Sequence, residues 1–108
     1  MNENSNLELK ATEGTISISP KLKMTKRMAI NICEQIIMQC GTLNNYKRVS
    51  AKMIQFSCMV NPVKIMLFIR ELDRNFIINV NHLNRSLDGD IENAPYYFKL
   101  FLTIPDKE

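Results

Sequence analysis

A chain of 108 residues, 45% of them apolar, can build one domain around one core and leaves little room for an enclosed active-site cavity. Fourteen Lys and Arg against eleven Asp and Glu give a formal charge of +3 and a pI near 8.8, which admits an anionic partner without the strong bias of a dedicated nucleic-acid binder. No apolar run approaches the roughly eighteen residues of a membrane span and the first twenty residues lack a signal peptide's apolar stretch, so a cytoplasmic location is expected.

Residues 1–6, "MNENSN", are polar and unpatterned and read as a frayed tail, as do residues 106–108, which leaves 7–105 as a single domain. "LELKATEGTISIS" alternates apolar and polar residues on both sides of Glu13-Gly14, predicting a hairpin that turns there and closes at Pro20. From Met24 to Cys40, Ile30, Cys33, Ile37 and Cys40 recur at the spacing of one helical face, predicting the main helix, about 24–40. Ser19 or Thr25 suits its N-cap, and Gly41 suits a left-handed residue at its end. "GTLNNYKRVSA" then reads as a polar connection.

The period next changes to two. "KMIQFSCMV" sets Ile54, Phe56, Cys58 and Val60 against Met53, Gln55, Ser57 and Met59, a half-buried strand ended by Asn61-Pro62. "VKIMLFIREL" alternates again and predicts a second strand, and "FIINV", residues 76–80, a third, so the three form a meander. Residues 81–88 allow a short helix. "PYYFKLFLTIP" fits either periodicity, but its aromatics, Ile104 and bounding prolines favour a final strand. The expected architecture is α+β: an antiparallel sheet of five or six strands with one main helix packed on one face.

Catalytic and metal chemistry find little support. Cys33, Cys40 and Cys58 are an odd number within apolar segments and read as reduced, buried hydrophobes; one histidine and no Cys-x-x-Cys knuckle argue against zinc. A Cys58–His82 dyad has nothing in the sequence to place its members together. Asp88, Asp90 and Glu92 in "DGDIE" lack the rest of a calcium loop, and no Gly-rich phosphate loop occurs. The chain is therefore expected to be no enzyme, with no catalytic residues, metal or cofactor, and no small-molecule substrate is indicated.

Two surfaces remain. Alternation sends Met59, Met66, Phe68, Arg70, Tyr97, Lys99 and Phe101 to an outer sheet face, and large apolar groups there mark a protein interface, with methionine and aromatics as its core. Lys21, Lys23, Lys26 and Arg27 gather at the start of the main helix, with Lys47 and Arg48 in the following connection, and this set would suit an anion or nucleic acid. The leading expectation is a small accessory protein that binds a protein partner or itself through the first surface. The second surface supports a nucleic-acid-binding regulator. Abundant Asn, Ile and Lys suggest an AT-rich coding sequence, as in a phage or mobile element.

Overall fold

The structure, a computed structural model, describes residues 12–84 and 94–104. Ser and Thr alternating with Ile produce strand β1, Thr12–Pro20. The Thr25 hydroxyl accepts the Met28 amide at 3.1 Å and starts helix α1, Lys26–Cys40, whose buried stripe is Ala29, Cys33, Ile36, Ile37 and Cys40. Strand β2, Gly41–Ser50, follows directly, and a two-residue turn leads into β3, Met53–Val60. A 3-10 turn at Pro62–Lys64 opens helix α2, Ile65–Asn75, which passes into β4, Phe76–Asn84. Strand β5, Tyr96–Thr103, completes the sheet.

The strand order is β2-β3-β5-β1-β4. Strand β1 lies parallel to β5 and antiparallel to β4, while β3 is antiparallel to both β2 and β5. Helix α1 returns the chain from the Pro20 end of the sheet to the end where Gly41 meets Val60, and α2 runs the other way, from Val60 to Phe76. Both helices cover the same side. There Ile16 and Ile18 of β1, Ile54, Phe56, Cys58 and Val60 of β3, and Phe98, Leu100 and Leu102 of β5 meet the helical stripes. Phe68 of α2 stacks on Phe98 with ring centroids 5.6 Å apart.

The broad α+β class holds, but the sheet is mixed rather than antiparallel, and the described residues form two α-helices. The segment read as a second meander strand is α2. Ile65, Phe68, Ile69 and Leu72 follow the i, i+3, i+4, i+7 helical pattern, Pro62 sits in the opening turn, and Leu, Met, Arg and Glu favour helix over strand. The polar "connection" is edge strand β2, whose only half-buried residues are Gly41 and Leu43 and whose period two bulges interrupt, so no alternation survives in the sequence. Residues 81–84 continue β4 rather than a helix, and the remainder of that predicted helix, like "DGDIE", lies outside the described residues.

Glu13-Gly14 is no turn. Gly14 sits inside β1 because a Cβ there would lie 2.9 Å from the Phe98 ring and 3.0 Å from the His82 carbonyl oxygen. Gly41 is extended, with φ −178, not left-handed; a Cβ at this helix-to-strand junction would meet the Met59 carbonyl oxygen at 1.8 Å. The predicted first arm of the N-terminal hairpin, from Leu7, falls outside the described residues.

Phe68 is fully buried while its helical neighbour Met66 is 70% exposed. Phe68→Ala is expected to cost about 3–5 kcal/mol in urea denaturation, a large share of a small domain's stability, and Met66→Ala less than about 0.5 kcal/mol. Equal, small losses would contradict the helical placement of both.

All three cysteines are free and buried. Burial, reinforced by Glu34, pushes the Cys33 thiol well above its ordinary 9.0. The Cys58 thiol is pushed up to about 12, again chiefly by burial. The unfolded chain releases these protons near 9.0 and the folded chain does not, so the resulting stability is intact below that pH and lost as pH rises toward 12. Each thiol should remove about 1.4 kcal/mol per pH unit across that window. In denaturation from about pH 8 to about pH 11, Cys58→Ala should show a shallower loss than the parent by one thiol's share; identical slopes would count against this account.

Candidate functional site

Both helices lie on one side, no helix among the described residues lies on the other, and strand alternation decides what that other face presents. Cross-strand partners arrange it in rows that run from β2 through β3, β5 and β1 to β4. One row is Thr42, Met59, Tyr97 and Glu13, and the next is Asn45, Ser57, Lys99, Thr15 and His82. The third is Lys47, Gln55, Phe101, Ser17 and Asn79; the last contains Ser50, Met53 and Thr103, with Ser19 and Ile77 across β1 and β4. Tyr97, Lys99 and Phe101 thus lie along the middle strand as ring, ammonium, ring. Among the described residues Lys99 takes no hydrogen bond or ion pair.

The structure divides the expected interface set. Met59, Tyr97, Lys99 and Phe101 share the helix-free face, Met59 directly beside Tyr97. Met66, Phe68 and Arg70 belong to α2 on the other side, with Met66 and Arg70 exposed and Phe68 in the core.

The basic set is divided too. Lys21 is bound to the C-terminus of α2: its amide donates to the Asn75 carbonyl at 3.0 Å and its ammonium to the Asp73 carbonyl. A cation there complements the helix dipole. Lys26 and Arg27 occupy the first turn of α1, which holds no acidic residue. Lys23 precedes it, exposed. Lys47 and Arg48 lie on the far edge strand, three strands from β1 or about 14 Å, and alternation turns them to opposite sides: Lys47 beside Gln55 on the helix-free face, Arg48 beside buried Ile54.

Two β-bulges sit at the level of Lys99. On β2 the register steps from Leu43–Cys58 to Asn45–Ser57, leaving Asn44 extra; on β4 it steps from Val80–Ile16 to His82–Thr15, leaving Asn81 extra. Asn81 donates its side-chain amide to the Ser17 hydroxyl. Were Asn81 to take a regular place opposite Thr15, His82 would fall opposite Gly14 and face the helices, so the bulge aims it onto the other face. Between the bulges lies a depression of about 350 Å3, with Asn44, Ser57, Lys99, Thr15 and His82 across it and Tyr97 and Glu13 at its rim.

Cys58 turns into the core and His82 onto the opposite side, three strands apart, so they form no dyad. Among the described residues no three His, Cys, Asp or Glu side chains are grouped to hold a metal, and no helix is long and apolar enough to cross a membrane.

Sequence reasoning passed over Thr15, Ser17 and Asn44, and weighed His82 only as a partner for a nucleophile such as Cys58. Their signal was present in part, since "TISIS" alternates hydroxyl and Ile residues as a half-covered strand does. Nothing in "NNYKRV" or "INVNHL" marked the bulges. The chain matches no family model, no curated protein and no solved structure.

Proposed function

We propose that the protein is a non-enzymatic binding protein whose helix-free sheet face takes single-stranded nucleic acid. The observation that carries this reading is the middle strand, where Tyr97 and Phe101 stand on either side of Lys99 on the face opposite both described helices. The two rings are about 13 Å apart along the strand, with the ammonium midway, an arrangement that can stack two bases and neutralise a phosphate between them. Hydroxyls and amides frame them, Lys47 adds a second cation, and three of the four rows contain no carboxylate.

The chain's formal charge of +3 admits an anionic partner. Stacking on a sheet requires unpaired bases, which favours a single strand over a duplex. Of the apolar groups expected at a protein interface, Met66 and Phe68 lie elsewhere and Met59, Tyr97 and Phe101 remain, so the face carries rings among polar rows rather than a continuous apolar core. Three unpaired thiols fit a reducing compartment.

Fluorescence anisotropy with a labelled twelve-nucleotide strand and its duplex tests this. The single strand should bind more tightly, Tyr97→Ala and Phe101→Ala should each cost about 1–3 kcal/mol, and Lys99→Gln should flatten the salt slope by about 0.7. Replacing Lys23 and Arg27 together should change affinity much less. Absence of binding at low salt, or ring variants that bind as the parent does while still folded, would overturn the reading; a dimer in light scattering that Phe101→Ala dissociates would assign the face to a second copy instead.

A further inference from the structure

We infer that the depression at Lys99 is a subsite for one nucleotide carrying a terminal phosphate, either a free nucleoside monophosphate or the phosphorylated end of a strand. For the strand end this rests on the function proposed above; for the free nucleotide it does not. At about 350 Å3 the depression is near the lower end of small-molecule sites, which suits one nucleotide and no more.

Its chemistry selects the ligand class. The Ser57 hydroxyl, Lys99 ammonium, Thr15 hydroxyl and His82 imidazole are neighbours in one row, successive strands being about 4.8 Å apart. Several donors around one cation suit a tetrahedral anion with several acceptor oxygens better than a planar carboxylate. Tyr97, two residues from Lys99 on the same side and 43% exposed, supplies a stacking surface about 7 Å away.

Glu13 decides that the phosphate is terminal. It stands beside Tyr97 in the outermost row, and its carboxylate can accept a sugar hydroxyl or a base amino group while repelling a second phosphate. The opposite neighbour of the depression, the row with Lys47, Gln55, Phe101 and Ser17, has no such charge. A strand can therefore stack its last base on Phe101 and end in a phosphate at Lys99, while a free nucleotide places its base on Tyr97. The paired bulges add weight, because each edge strand gives up its regular register at this level alone of the helix-free face's central rows, and bulges concentrate where side chains are re-aimed for a site.

The test titrates the full chain with AMP, adenosine and inorganic phosphate by calorimetry, and with one oligonucleotide carrying a 5′-phosphate, a 3′-phosphate or only hydroxyl ends. AMP should bind at least about tenfold more tightly than adenosine or inorganic phosphate, since each lacks one half of the contacts. One phosphorylated end should likewise gain about tenfold over hydroxyl ends, and Lys99→Gln or Thr15→Val should abolish the gain, with Thr15→Ser restoring it. If all three oligonucleotides bind equally and AMP does not bind, the subsite is refuted while the single-strand reading survives. Binding of AMP without any oligonucleotide supports the subsite and removes the single-strand reading. Failure of every ligand refutes both.

Discussion

Both helices press on the same side of the sheet, and that one-sided covering governs everything else in the molecule. It sorts each strand by parity. Ile16, Ile18, Phe56, Cys58, Phe98 and Leu100 go under the helices, while Thr15, Ser17, Gln55, Ser57, Tyr97, Lys99 and Phe101 remain on the other side. The Phe68–Phe98 stack joins α2 to the strand whose opposite side carries Lys99, so the core contact and the candidate site share a backbone. Rigid strands are better supports for such a site than loops.

Legibility followed the strength of this parity. In β3 and β5, central strands, burial alternates at nearly every residue; β3 could be read directly, whereas the β5 segment fitted either period and its aromatics and bounding prolines decided for a strand. Helix α1, with its capping threonine, was equally plain. Helix α2 was misread because "VKIMLFIREL" satisfies both periods; Pro62 at its start and the continuation of the helical pattern to Phe76 were the deciding signals, and strand alternation was given precedence over them. Edge strand β2 has almost no buried residue to create a pattern. The parallel pairing of β1 with β5 leaves no trace in local sequence, since neighbour choice depends on tertiary contacts across the sheet.

The cations illustrate the difference between proximity in sequence and in space. Lys21 and Lys26 are five residues apart, yet the first complements the C-terminal dipole of α2 and the second opposes the N-terminal dipole of α1. Lys47 and Arg48 are adjacent and face opposite sides. A linear basic cluster therefore resolves into separate roles, and the cation best placed among hydrogen-bonding and stacking groups is Lys99, which stands alone in its segment.

Gly14 connects the two sides most directly. Its missing Cβ lets the Phe98 ring, the Leu83 side chain and the His82 carbonyl close in from β5 and β4 on the helix side. Any side chain there would have to push one of those strands away from β1. Thr15, the next residue, faces the other side between Lys99 and His82, so the same displacement would widen the row of donors. The spacing of the candidate site is thus set in part by the contact of Gly14 with Phe98, and the bulge at Asn81, held by Ser17, fixes the register from the edge. Close packing under one side and re-aimed polar groups on the other are two consequences of a single strand approach.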